Sequence, residues 1–447
     1  MKAQRNKYLG LPLLLAAVTT CVVAPSGMAQ ADTEAVVFFD NVRVFDGKQV
    51  IPKADVLVEN EIIKKVDSAH ATTPPTGATV VDGTGKTLMP GLIDGHTHML
   101  TIRDMKDALL YGVTTVVSAG ENPRVREYIQ CMGPQTNRAD LVPSSYFATT
   151  TGSHGTELPP DFFGEIPLLT HVSQVPGWVD DRIAEGAHHI KVIYEDHSKF
   201  QETPAPKLPI EIVEAIVDEA HAAGIDVIGH ATTTEDAKEI MEAGVDGLTH
   251  VPVDPIDQEF LDLMVDNDVH MTPTLDVERA GDSVTLGTGE LADPHLSPWL
   301  SPTNLFFLGL TPPPGFGDRW SYTDSRNNLA QIKAAGITVL AGTDNANPGV
   351  TTGAGMHREL ELLVDAGLTP KQALRSATHK VAKAYGLSDR GIIKEGKLAD
   401  LLLVNGNPTN DVLDSRKIAG IWRMGTPVDR TALLSEASAP TDPTCTP

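Results

Sequence analysis

Three things are scarce in this 447-residue chain: basic residues, cysteines and long apolar runs. Lysine and arginine total 35 against 59 aspartates and glutamates, a formal charge of −24 at pH 7. So acidic a chain is repelled by phosphate backbones and anionic membrane surfaces, which argues against both as partners. Cysteine occurs three times, at Cys21, Cys131 and Cys445, so at most one intrachain bridge can form. The apolar run Leu9–Val23 is too short for a comfortable membrane span.

That run reads as the centre of an export signal. Lys2, Arg5 and Lys7 precede it, and Ala29-Gln30-Ala31 follows as a small-x-small cleavage site. Residues 1–31 are expected to be a signal peptide cleaved after Ala31; cleavage after Ala29 and retention as an anchor are the alternatives. The mature chain is then periplasmic or secreted, with no stable membrane anchor. Cys21 follows Thr19-Thr20, a poor context for lipid attachment, and leaves with the signal. Cys131 and Cys445 either pair in an oxidising compartment or stay as separate thiols.

What is present is globular: 41% hydrophobic and 21% charged residues, in a chain long enough for a large core. Residues 32–88 carry strand-like runs, AVVFFDNVRVF, ADVLVEN, EIIKKVD and ATVVDGTGKTLMP, punctuated by turn residues. They are too few to hold a core alone. Residues 391–432 have the same texture, so both chain ends are expected to form one small β-sandwich, with a polar tail at 433–447.

The inserted region, 89–390, alternates strand and helix. Apolar strands are expected at MPGLIDGHTHM, TTVVSAG, DLVPSSYFATT, HHIKVIYE, DVIGHA, GLTHV, VHMTPTL and TVLAGTDN, mostly separated by amphipathic helices such as IEIVEAIVDEAHAAG. Eight such repeats in about 300 residues are the arithmetic of a (β/α)8 TIM barrel, whose chemistry sits at the C-terminal strand ends. The segment from Glu278 to Trp320, rich in Pro and Gly, is expected to be a long loop and a lid, or a plain surface insertion.

Polar residues interrupt these strands near their C-terminal ends: His96 and His98, Lys191, His230, His250 and Asp344. His96 and His98 are two apart and share one face of a strand. Burying so many polar groups without partners would cost several kcal/mol, which one or two divalent metals would relieve. Lys191 lies among apolar neighbours; burial lowers its pKa, and a neutral amine can take up CO2 to become an anionic, bidentate carbamate. A simple pairing of Lys191 with Asp344 or Glu195 is the alternative.

PGLIDGHTH, the Lys in HIKVIY, DVIGHA, GLTHV, AGTD and GKLADLLLVNGNP together resemble the metal-dependent amidohydrolase superfamily, in its imidazolonepropionase-like and Xaa-Pro dipeptidase-like branch. The resemblance covers nearly the whole mature chain. It implies that His96, His98 and Asp344 hold one metal, that His230 and His250 hold a second, and that a carboxylated Lys191 bridges them. Zinc is the default for such a site, with manganese, cobalt or nickel as alternatives. The implied reaction is hydrolysis of an amide or peptide C–N bond by metal-activated water, with Asp344 moving the proton. A dipeptide or N-acyl amino acid is the expected substrate. Hydrolysis of a lactone, carbamate or organophosphate ester stays open, as does a non-catalytic binding barrel. His154, in TTGSHGT, is expected to face substrate, and Tyr194 to hydrogen-bond a substrate carbonyl or oxyanion. His197 and Arg326 are candidates for the mouth of the site. His188, His189, His221 and His379 read as surface or helix positions, and Asn345 as a support for its neighbour. A homo-oligomer is an open expectation.

Overall fold

Alternating apolar and polar residues build the N-terminal strands of the computed structural model, which describes residues 36–158, 160–199, 203–282, 288–310 and 320–436. The expected signal peptide, Cys445 and the tail beyond residue 436 lie outside the described residues. The first five strands are β1 (Val36–Phe45), β2 (Val50–Glu59), β3 (Ile62–Asp67), β4 (Thr79–Asp82) and β5 (Lys86–Pro90). Seven follow in the inserted region: β6 (Leu92–Thr97), β7 (Val113–Ser118), β8 (Asp140–Val142), β9 (Ile190–Ile193), β10 (Val227–His230), β11 (Gly247–Thr249) and β12 (His270–Thr272). The last three are β13 (Leu401–Asn405), β14 (Ile418–Arg423) and β15 (Thr426–Pro427).

The two chain ends share one sheet, ordered β15-β14-β13-β5-β1-β2-β3, with β4 paired to β1. Its seam is β13 against β5, antiparallel, with Leu403 opposite Leu88 and Leu402 opposite Met89. The backbone of residues 397–399 turns onto the other edge: Ile63 N donates to Lys397 O at 2.8 Å, and Ala399 N to Glu61 O at 2.7 Å. One face buries Val37, Phe39, Val56, Leu403 and Trp422. Phe39 and Trp422 meet edge-to-face at 4.6 Å, a favourable aromatic geometry.

The inserted region is mixed α/β. Parallel strands β6-β7-β8 form one sheet and β12-β11-β10-β9 another. Their short apolar runs are buried on both faces, as strands sandwiched under helices must be. Backbone bonds link the sheets: Ala148 N to Lys191 O at 2.8 Å on one side, and Leu340 N to Met271 O at 2.8 Å on the other. The outer helices start at side-chain caps, Thr101, Asn122, Thr233, Asp257 and Ser321, each accepting from a first-turn amide. Helix Ile210–Ala222 buries Ile212, Val213, Ile216, Val217 and Ala220, one stripe of a 3.6-residue period.

Two expectations change. TVLAGTDN runs beside β12 and β6 but is not a full strand; only Val339 forms a ladder bridge, to Met271. The Asp94 carboxylate takes the Thr343 amide (3.0 Å) and hydroxyl (2.7 Å), an amide shared with His96 O at 3.2 Å. The Glu278–Trp320 stretch is not a plain loop: its described residues include helices Leu275–Asp282, Thr288–Ala292 and Pro302–Gly309. Cys131, in helix Pro123–Met132, is disulfide-bonded.

Candidate metal centre

The last residues of β6 sit where two backbones nearly touch. A Cβ at Gly342 would stand 2.7 Å from His96 N, and one at Gly95 would stand 2.7 Å from Ala341 O. Glycine at both positions allows His96 O to accept from Asp344 N at 2.8 Å. Asp344 takes the left-handed conformation, φ 55°, a costly state for a non-glycine residue that the two docked backbones hold in place. Its Oδ1 then lies 3.3 Å from His96 Nε2 and 3.1 Å from His98 Nε2.

His98 shows what that oxygen awaits. Its Nδ1 is 3.1 Å from the carbonyl of Gly120, which can only accept, so Nδ1 carries the proton. Nε2 then faces the carboxylate oxygen, and a proton or a metal cation between the two makes the approach favourable. Asp344 Oδ1 is buried and makes no hydrogen bond of good geometry, whereas Oδ2 accepts from Asn347 Nδ2 at 2.9 Å.

A second pair faces the same cavity. His250 Nε2 is 2.9 Å from His230 Nδ1, and the other nitrogen of His250 is 2.6 Å from Thr274 Oγ1. A zinc ion bound tetrahedrally would hold two nitrogens about 3.3 Å apart, so this pair need open by only a few tenths of an ångström. Donor atoms of His96, His250 and Asp344 lie within 4.8 Å of one another, which suits one ion among them. Lys191, almost wholly buried, lines the same cavity, and its Nζ donates to Thr249 Oγ1 rather than to either carboxylate considered from the sequence.

Burial sets the charge states. It pushes His96 down to about 3, helped by the nearby Lys191 ammonium, and pushes His230 and His250 well below the usual imidazole range, so all three are neutral ligand-ready rings. Burial would raise Asp344, but His96 and His98 outweigh it and hold the carboxyl well below its usual range. Desolvation lowers Lys191 to about 7, against the opposing pull of Asp344.

The cavity, about 260 Å³, is lined by all six strand-end residues and walled by Phe147, Leu158, Phe163, Ile193 and Trp320. His154 is on that wall, its ring 5.1 Å from the ring of His230, and His197 is beside it. Tyr194 is not brought to the site. Its hydroxyl donates to Glu239 and its face carries the Lys207 ammonium at 4.5 Å. The reason is strand parity: Lys191 and Ile193 face inward, so a residue three after Lys191 faces outward. Arg326 is exposed on helix Tyr322–Ala334, away from the cavity lining. His189 is buried rather than on the surface, packed on Tyr385 and pushed down to about 3 by desolvation. Asn345 supports His98, not its neighbour: its Oδ1 accepts from His98 N at 3.1 Å.

Sequence reasoning named Glu195 only as a possible partner of Lys191 and gave Glu278 no role at the site. Both are fully buried, with carboxylate oxygens 3.8 Å from His230 Nε2 and from His250 Nδ1 respectively. Glu195 was within reach, because it is four residues from Lys191 and shares its face. Glu278 comes from a distant helix and had no local signal; burial pushes its carboxyl well above the usual range, against a hydrogen bond from Trp320.

Residues 87–429 match the amidohydrolase family. The chain belongs to that family. This amidohydrolase is a hydrolase of carbon–nitrogen bonds, and its metal-ligand geometry is that of a metal-binding enzyme. Imidazolonepropionase of Streptomyces griseus subsp. griseus is 25% identical over 407 residues, 84% of this chain and 92% of the relative. A Xaa-Pro dipeptidase solved with methionine in its active site superposes with a TM-score of 0.72 at 21% identity, covering 88% of this chain and 100% of the other. A putative prolidase from Bifidobacterium longum gives 0.70 at 25% identity, covering 91% and 99%.

Proposed function

We propose that this amidohydrolase is an exported, binuclear enzyme that hydrolyses the amide or peptide bond of a dipeptide or N-acyl amino acid. The observation that carries the reading is the pairing of donors: His96 and His98 converge on Asp344 Oδ1, while His230 and His250 face each other at 2.9 Å. On this reading His96, His98 and Asp344 would hold one divalent ion and His230 and His250 a second, zinc first and manganese, cobalt or nickel next, with Lys191, as a carbamate, as a further ligand. When bound, such ions supply Lewis acidity and a water of lowered pKa. Asp344, ionised at neutral pH, accepts the proton of the attacking water and returns it to the leaving amine nitrogen. His154 on the wall orients the substrate carbonyl side. Phe147, Phe163 and Trp320 take an apolar acyl or side-chain group and exclude bulk water. The parallel segments are read as a closed (β/α)8 barrel, supported by the backbone links of β6 and β12 to residues 338–344. The shared terminal sheet is read as a β-sandwich, supported by the contact of residues 397–399 with its β3 edge.

The test is metal counting on purified protein, then incubation with a library of dipeptides and N-acyl amino acids. Two divalent ions per chain and amine release from members with apolar groups are expected. No bound metal, with no gain of activity on adding zinc or manganese, sinks the hydrolase mechanism. Metal without amine release from any member transfers the reading to an ester or lactone. For location, the mature N-terminus of protein recovered from the culture medium or periplasm is expected to begin after Ala31.

A further inference from the structure

A second donor cluster stands at the cavity wall, outside the six strand-end residues. His154, Glu157 and His197 come from two different loops, yet one donor atom of each lies within 4.8 Å of the others. His154 Nδ1 is 2.8 Å from Glu157 Oε1, and His197 Nε2 is 3.9 Å from the same oxygen. Donors on one tetrahedral zinc ion stand about 3.3 Å apart, so the two distances bracket the required spacing. The rings of His154 and His197 are 4.6 Å apart and steeply inclined, so the two imidazoles stand side by side at the wall. His197 adopts φ 61°, an unfavourable conformation for its residue type, and its amide is fixed by Glu195 Oε1 at 2.7 Å. All three side chains line the same cavity as the inner ligands.

We propose that His154, Glu157 and His197 form a rim site for one divalent cation, zinc by donor type, which inhibits the enzyme when filled. Two imidazoles and one carboxylate are a common zinc donor set that leaves a position open. The site is weaker than the inner centre for two reasons. The Glu157 side chain is 49% exposed, and a cation at His154, whose ring is 5.1 Å from that of His230, would be repelled by any ion bound at the inner centre. It therefore fills only at zinc concentrations above those that load the centre. Filling it takes His154 from the substrate and narrows the mouth. The site stands on geometry alone; only its inhibitory effect rests on the hydrolase reading.

The experiment is equilibrium dialysis of the full-length, metal-loaded enzyme against rising zinc, with ions per chain counted for wild type, Glu157→Gln and His197→Ala. Circular dichroism confirms that each variant is folded. Wild type is expected to take up one equivalent more than either variant, whatever number the inner centre holds. Equal uptake by all three overturns the site. In parallel, wild-type activity should rise and then fall with zinc, and Glu157→Gln should shift the fall to at least tenfold higher zinc. A fall at the same concentration in both overturns the inhibitory role.

Discussion

His357 and His98 each place one ring nitrogen on a backbone carbonyl, and the second nitrogen separates them. His357 Nε2 lies 2.9 Å from Tyr111 O, and its Nδ1 lies 2.9 Å from Ser415 Oγ. A serine hydroxyl turns to donate into whatever lone pair it meets, so a neutral His357 is fully satisfied. His98 meets the Asp344 carboxylate instead, which has nothing to donate. His230 and His250 meet each other. Buried neutral histidine is thus common to both regions. What marks the metal centre is a cluster whose second nitrogens face one another or a carboxylate oxygen, an arrangement that suits a cation.

Breaking the cavity side should have the largest effect. Asp344→Asn is expected to lower kcat/KM by roughly 10³-fold or more, because on the proposed mechanism it removes both a ligand and the proton acceptor. Activity within tenfold of wild type would show that the convergence of His96 and His98 on Asp344 is not the reactive centre. The structural side is next. Burial holds His357 down at about 4, against about 6.5 in an unfolded chain. Between those values the unfolded chain binds a proton that the folded one does not. Stability is therefore lost as pH falls from about 6.5 to 4, by about 3 kcal/mol. His357→Gln should flatten the pH profile of urea midpoints over that range, and parallel profiles would refute the assignment. Third, Glu195→Gln should weaken affinity for one ion by roughly 10- to 100-fold in competition with a chelator, because its carboxyl group stands 3.8 Å from His230 Nε2, next to a proposed ligand. Unchanged affinity would leave Glu195 as mere packing. The smallest effect belongs to Tyr194→Phe, whose hydroxyl faces Glu239: kcat/KM should stay within about twofold. A tenfold fall would put Tyr194 back into the site.

Much of this comparison was legible before any coordinates. The six strand-end residues stood out because each interrupts an apolar run, and a strand's period of two fixes which face it occupies. The same rule, carried four residues past Lys191, points to Glu195 and away from Tyr194. His357 and His98 could not be told apart that way, since Ser415 and Asp344 are supplied by remote parts of the chain. Pairing of the terminal strands was readable from their shared texture. The helices within 278–320 were not, because proline and glycine in that stretch mask short helical turns. In the eighth segment the Thr343 amide is shared between Asp94 and His96 O, a side-chain bond no periodicity encodes.

The seam between β5 and β13 has a consequence for synthesis. Leu88 and Leu403 are neighbours in the sheet but about 300 residues apart along the chain. At ribosomal rates of about 5–20 residues per second, β5 waits roughly 15–60 s for its partner. During that interval an apolar strand edge stands open to mispairing. Variants that slow elongation between residues 90 and 400 should therefore aggregate through that edge before they lose any activity per folded molecule.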